Sequence, residues 1–144
     1  MRPELWKEER TYSVVKFDFS EIKPLFGFNK FEKDLKDRLI DNFSSLGFLY
    51  EPNSTSLFSQ LSKWLGDQAA NSLVVLIDEY DAPLTSSLND RILFNEVRGL
   101  LSEFYALLKA NDEAIRFLFI TGITKFNKTS IFSELNNLVS CNFN

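Results

Sequence analysis

Residues 73–81 read Leu-Val-Val-Leu-Ile-Asp-Glu-Tyr-Asp, so an unbroken run of apolar side chains stops abruptly at a group of acids. A short apolar run of this kind, rich in branched side chains, is typical of a strand that is covered on both faces, as strands of parallel sheets are. The run therefore predicts a central parallel strand over residues 73–77.

Two other segments have the pattern of strands. The side chains of residues 14–19 alternate between an apolar face, which includes Val15 and Phe17, and a mixed face, and this predicts a half-exposed edge strand. Residues 117–120 are all apolar and stop at Thr121, which predicts a second buried strand.

Three amphipathic helices are predicted between these strands. Asn29 and Glu32 form a capping pair at the start of the first helix, the second spans residues 57–66, and the third spans residues 91–109. Helices that alternate with strands indicate an α/β protein. We expect a three-layer parallel sheet with right-handed crossovers.

The composition excludes several classes of protein. The chain has 144 residues, about the size of one domain, and a formal net charge of −4, which gives no general attraction to nucleic acid. It contains no histidine, so histidine general bases and histidine-containing zinc sites are excluded. The single cysteine, Cys141, and the lack of a signal-peptide pattern or a membrane-length apolar run lead us to expect a cytoplasmic protein without membrane contact.

The acids after the central strand are the candidate functional residues. In an open parallel sheet the reactive groups lie at the carboxyl ends of the strands, so we expect Asp78, Glu79 and Asp81 to share one edge with Thr121. Hydrophobic residues followed by Asp-Glu form the Walker B pattern of nucleotide hydrolases, in which the aspartate holds Mg²⁺ and the glutamate orients the attacking water. The alternative interpretation is that these acids only solvate the strand end and that Asp81 opens the turn at Ala82.

Three stretches of the chain are similar to one known family. Residues 75–84 read Val-Leu-Ile-Asp-Glu-Tyr-Asp-Ala-Pro-Leu, residues 119–126 read Phe-Ile-Thr-Gly-Ile-Thr-Lys-Phe, and residues 130–138 read Ser-Ile-Phe-Ser-Glu-Leu-Asn-Asn-Leu. They resemble the predicted AAA-ATPase-like family of P-loop proteins, whose members are mostly prokaryotic and often carry a C-terminal PD-(D/E)XK nuclease-like region. A weaker similarity extends to Trp6 and residues 12–20, so the resemblance covers nearly the whole chain.

The resemblance implies a role for each polar residue at this edge. Asp78 corresponds to the Mg²⁺ partner, Glu79 to the catalytic glutamate and Thr121 to the polar residue on the sensor-1 strand. Lys125 is a further candidate for nucleotide sensing, and Asp81 is an additional acid on the rim. For Thr121 and Lys125 the alternative is a strand end followed by a solvated turn.

The nucleotide-binding loop of that family is not found in this sequence. A Walker A loop follows the pattern G-x-x-x-x-G-K-[ST], and its backbone amides and lysine hold the phosphates. None of the five glycines fits this pattern; they are Gly27, Gly47, Gly66, Gly99 and Gly122. We therefore expect residues 1–144 to be a partial AAA-ATPase-like domain, from its second strand to just after its sensor-1 strand, without the first strand, the P-loop and the last strand.

Further expectations follow from the resemblance. The sheet order that it implies, 5-1-4-3-2, makes the three strands neighbours and puts residues 14–19 at the edge. Mg²⁺ and ATP would be bound only if another segment supplies a Walker A loop, and we expect the chain to be inactive alone.

Two other functions remain open. In the first, the chain is a non-catalytic interaction module, or a gene remnant, that pairs through its exposed sheet edge with a P-loop-bearing chain or with itself. In the second, Asp78, Glu79 and Asp81 form a metal-dependent nuclease site. That function is weaker because we expect no companion lysine on a neighbouring strand and no basic stripe, so nucleic acid would be contacted only indirectly.

Overall fold

A computed structural model describes residues 12–122 of the chain. These residues form three strands and four helices, joined in part by short 3-10 turns. None of the helices in this range has both the length and the apolar composition that are needed to cross a bilayer. In chain order the elements are β1 (Ser13–Asp18), α1 (Phe28–Ser44), α2 (Leu57–Gly66), β2 (Leu73–Asp78), α3 (Ala82–Thr85), α4 (Arg91–Ala110) and β3 (Ile115–Ile120).

The three strands form one parallel sheet in the order β1-β2-β3. Asp18 lies opposite Asp78, and Ile77 lies opposite Ile120, so the carboxyl ends of all three strands meet at one edge. Within residues 12–122, β2 is the central strand and β1 is an edge strand, as predicted. The architecture is α/β with a parallel sheet, as predicted, and it is compatible with a P-loop NTPase-like fold.

Helices cover one face of the sheet because the chain moves in one direction, from β1 through β2 to β3. Right-handed crossovers that advance in a constant direction place their helices on the same side. The ring of Phe17 on β1 packs edge-on against that of Phe104 in α4, with centroids 5.4 Å apart. The apolar stripes predicted for the three longer helices are buried on this side: Phe31, Leu35, Leu39, Phe43, Leu57, Leu61, Leu65, Val97, Leu100, Leu101, Phe104 and Leu108.

The start of α1 differs from the prediction. The capping pair of Asn29 and Glu32 is wrong, because α1 begins after Gly27 without a side-chain cap and Asn29 already lies in its first turn. Gly27 has a φ of 100°, a conformation that glycine adopts without steric cost, and this lets the chain enter the helix early. By contrast, α2 has an ordinary cap, in which the hydroxyl of Ser56 accepts a hydrogen bond from the Ser59 amide at 3.2 Å.

The other face of the sheet is open in the part of the chain that the structure describes. Phe117 and Phe119 on β3 are 50% and 45% exposed, and Val14 on β1 is 53% exposed. The continuous apolar runs of β2 and β3 predict cover on both faces, but residues 12–122 supply it on one, since both crossovers advance in the same direction. This part of the chain is therefore two-layered, and the second helical layer of the three-layer sheet stays a prediction.

Candidate functional site

The carboxyl edge of the sheet brings together the ends of β2 and β3. Asp78 is the last residue of β2, and Thr121 directly follows β3. The Thr121 hydroxyl donates a hydrogen bond to Asp78 Oδ1 at 3.1 Å and accepts one from the backbone amide of Glu79, also at 3.1 Å. The Thr121 hydroxyl thus connects Asp78 and Glu79 to the end of β3, and these three residues share the edge as predicted.

Backbone hydrogen bonds hold Thr121 in this place. Its amide donates to the carbonyl oxygen of Ile77 at 2.8 Å, and its own carbonyl oxygen accepts from the Tyr80 amide at 2.9 Å. The pairing of β2 with β3 is in this way continued past the end of both strands. The Thr121 hydroxyl is therefore fixed by the same ladder that positions Asp78.

Glu79 has a left-handed backbone, with a φ of 54°. This conformation costs a residue with a β-carbon about 1–2 kcal/mol, and glycine is its usual occupant. Strained residues of this kind persist where the surrounding structure fixes them, and they cluster at functional sites. Here the bend directs the Glu79 amide to the Thr121 hydroxyl and leaves the residue partly exposed at the edge.

Gly122 allows the ring of Tyr80 to pack directly against the backbone beside Thr121. A β-carbon at position 122 would lie 2.2 Å from Cε1 and 2.5 Å from Cδ1 of that ring. Tyr80 is only 2% exposed, so its ring is enclosed by protein and would have to move within the interior to admit a side chain at position 122. Sequence reasoning missed this role because the contact joins residues that are far apart in the chain; the one signal was a glycine directly after the buried strand.

Asp81 is buried, unlike Asp78. The residue is 4% exposed, so it is shielded from the solvent that an acid on the rim would meet. Burial raises the pKa of Tyr80, and the negative charge of Asp81 raises it further. Burial also raises the pKa of Tyr105, with smaller contributions from Tyr80 and Asp81. Asp81 thus belongs to a buried polar cluster with the two tyrosines, and its role as an additional acid on the rim stays a prediction.

Two residues of β1 reach the same edge and were missed by the sequence reasoning. Asp18 lies directly opposite Asp78, and hydrogen bonds from the Ser20 side chain and amide lower the pKa of the Asp18 carboxyl, with further lowering by Lys16 and Arg38. The Lys16 ammonium lies 3.5 Å from Asp78 Oδ2. The expectation that no lysine accompanies these acids on a neighbouring strand is therefore wrong. The register between β1 and β2, which brings Lys16 to Asp78, is not readable from the sequence.

The side chains at this edge offer oxygen ligands to a metal ion. Among residues 12–122, no group of three or more acidic or cysteine side chains is placed to share a metal ion, so Asp78, Glu79 and Asp81 do not form the joint metal site of the nuclease hypothesis. The Asp78 side chain is 40% exposed and presents its carboxylate at the end of β2. A single carboxylate fits Mg²⁺, which keeps several waters and takes other ligands from phosphates. Lys125 lies outside the described residues.

Replacement of Gly122 by alanine tests the contact with Tyr80. We expect Gly122→Ala to lower the free energy of unfolding by about 1–3 kcal/mol, because an added methyl group must displace a buried ring. Urea denaturation measures this change.

Gly99→Ala is the matched control. Gly99 lies inside α4, and a β-carbon there would meet nothing within 4 Å. This replacement should raise the free energy of unfolding by up to about 1 kcal/mol, since alanine favours a helix. A Gly122→Ala protein as stable as the parent would contradict the close packing of Tyr80 against position 122.

Comparison with known proteins gives two findings. A family model described as "Predicted AAA-ATPase" matches residues 1–132. A protein of Azotobacter chroococcum mcd 1, named "Uncharacterized protein in vnfD 5'region", is 29% identical over 138 residues, which cover 92% of this chain and 26% of that protein. The chain therefore spans about a quarter of the length of that relative. No solved structure matches the chain. Because the family match covers most of its residues, the chain belongs to the AAA-ATPase-like family of predicted AAA-ATPases.

Proposed function

We propose that this chain supplies the Walker B and sensor-1 elements of a Mg²⁺-dependent ATPase site. The observation that carries the proposal is the hydroxyl of Thr121, which bonds both to the Asp78 carboxylate and to the Glu79 backbone. Catalytic carboxylates must be held in a fixed geometry to act on a bound phosphate, and a parallel ladder with a cross-strand hydroxyl provides such a support. The family membership points to the same class of reaction.

Each residue has a distinct part in this proposal. Asp78 holds Mg²⁺, which when bound neutralises charge on the phosphates of the nucleotide. Glu79 follows it on the left-handed bend and orients the attacking water, while Thr121 keeps the two residues in a fixed relation. The nucleotide-sensing role of Lys125 is part of the same proposal.

ATP binding by this site depends on a Walker A loop that this sequence does not contain. We propose that the loop comes from another polypeptide segment, because the carboxyl edge offers carboxylates in residues 12–122, whereas the glycine-rich loop that would cradle a phosphate is not part of this sequence. Asp78 and Glu79 are then one half of a composite site. Hydrolysis requires both halves.

The ATPase proposal predicts that the 144-residue chain alone does not hydrolyse MgATP. Hydrolysis should appear when a Walker A-bearing segment of the same family is joined to the chain or added to it. In the complete site, Glu79→Gln should lower the rate of MgATP hydrolysis by about 100-fold or more, because the water is no longer oriented by a carboxylate. A phosphate-release assay measures both rates. The matched control is Glu103→Gln on the exposed surface of α4, which should leave the rate unchanged. Turnover by the chain alone, or turnover insensitive to Glu79→Gln, would contradict the proposal.

An interaction module is the second candidate function, and the open face of the sheet favours it. Phe117 and Phe119 expose about half of their surface on β3, which is an edge strand in the described part of the chain. Exposed apolar edge strands pair with other chains unless they are protected by charge or by a covering element. The same surface is the place where we propose that a P-loop-bearing segment, or a second copy of this chain, packs.

Light scattering tests this surface. We expect the chain to form dimers or larger species as its concentration rises, and the double variant Phe117→Lys with Phe119→Lys to shift this equilibrium towards monomer, because charge on the face opposes contact. Phe26→Lys is the matched control, since Phe26 is 82% exposed but lies outside the sheet. A parent chain that stays monomeric at all concentrations would contradict self-association.

A further inference from the structure

Lys16 reaches from the open face of the sheet to the carboxyl edge. It pairs with Leu76 across β1 and β2, two residues before the pair formed by Asp18 and Asp78. Two residues advance a strand by about 7 Å, a distance that a lysine side chain spans. The Lys16 ammonium accordingly lies 3.5 Å from Asp78 Oδ2.

The surroundings of Lys16 explain why its ammonium turns to the edge. Its neighbours in the same row of the open face are apolar, with Leu76 beside it and Phe119 beyond. A lysine on such a surface lays its methylene stem along the apolar groups and extends its charge towards polar ones. Among residues 12–122 the charged groups at the edge include Asp78, Glu79 and Asp18, and Arg38 of α1 also acts on Asp18.

Both oxygens of the Asp78 carboxylate already have a partner. Oδ1 accepts the hydrogen bond of the Thr121 hydroxyl, and Oδ2 faces the Lys16 ammonium. A carboxylate oxygen is also the ligand that a hard divalent cation seeks. A cation that binds Asp78 through Oδ2 therefore meets a positive charge at the position it would take.

We propose that Lys16 is a built-in counter-ion of Asp78 that a divalent cation must displace when it binds Oδ2. This inference rests on the proposed function, in which Asp78 is the cation ligand. Lys16 is a positioning residue: it neutralises the carboxylate in the absence of metal and sets the cation concentration at which the site fills. Its removal strengthens divalent-cation binding at Asp78.

Paramagnetic broadening of backbone amide resonances by Mn²⁺ tests the proposal on the 144-residue chain, without any need for activity. Mn²⁺ prefers the same oxygen ligands as Mg²⁺. In Lys16→Met the Mn²⁺ concentration that half-broadens the Thr121 and Gly122 amides should fall by about two- to fivefold, the factor expected for loss of an exposed ion pair. In Asp78→Asn the broadening at these two amides should disappear.

Lys33→Met is the matched control. It also removes one positive charge and breaks an ion pair, that of Lys33 with Asp37 on α1 at 2.6 Å, but it lies away from the edge. It should leave the broadening of Thr121 and Gly122 unchanged. If Asp78→Asn removes the broadening while Lys16→Met leaves the midpoint unchanged or raises it, the counter-ion role is overturned and the proposed function stands. Broadening that persists in Asp78→Asn overturns both. Broadening that is absent from the parent chain and from every variant overturns the counter-ion role and leaves the proposed function standing, because that function has Mg²⁺ bound together with a Walker A segment.

Discussion

The hydroxyl of Thr121 is the connection on which the candidate site depends. It bonds to the carboxylate at the end of β2 and to the amide of the next residue, so it fixes Asp78 and Glu79 relative to β3. A hydrogen bond contributes about 1 kcal/mol net, which is less than the upper cost of the left-handed backbone at Glu79. Two further hydrogen bonds support the bend: the Thr121 amide donates to the Ile77 carbonyl oxygen, and the Tyr80 amide donates to the Thr121 carbonyl oxygen. The buried Tyr80 ring also packs against Gly122. These contacts together stabilise the left-handed backbone at Glu79.

The same sheet presents two surfaces that the described residues leave incomplete. In the described part of the chain its carboxyl edge carries Asp78 and Glu79, which we propose as part of a cation site, without a loop of the phosphate-binding pattern, and its open face carries Phe117 and Phe119 in contact with solvent. Within residues 12–122 the open face follows from the topology: the chain advances from β1 to β3 in a constant direction, so the helices of this part cover a single face and β3 is an edge strand. We therefore propose that a further segment packs against the open face of the sheet and brings the phosphate-binding loop to the carboxyl edge.

The sequence predicted the parts of this structure that depend on local pattern. Hydrophobic periodicity can be recognised within a single segment, without knowledge of its neighbours. It predicted the apolar run before Asp78, the alternation in β1 and the apolar stripes of the helices. The convergence of Asp78 and Thr121 was predictable because parallel strands end at a common edge. The burial of Asp81 was not, because it depends on the path of the chain after the end of β2, where Glu79 has a left-handed backbone.

Contacts that depend on register could not be predicted. The position of Lys16 beside Asp78 requires the alignment of β1 with β2, and the contact of Tyr80 with Gly122 requires the path of the chain after both strands. The alternation of β1 excludes a shift of register by one residue, which would turn its apolar side chains to the open face, but it does not exclude a shift by two, which would move Lys16 away from Asp78.

Amide hydrogen exchange at Glu79 tests the role of the Thr121 hydroxyl most directly. Thr121→Val removes the hydroxyl and keeps the shape of the side chain, whereas Thr121→Ser keeps the hydroxyl. In Thr121→Val the Glu79 amide should exchange about five- to tenfold faster, because it loses its acceptor, while in Thr121→Ser it should stay protected. The Tyr80 amide is the internal reference, since its acceptor is the backbone carbonyl of Thr121, and it should stay slow in both variants. Equal exchange at Glu79 in the parent and in Thr121→Val would contradict the hydroxyl bridge.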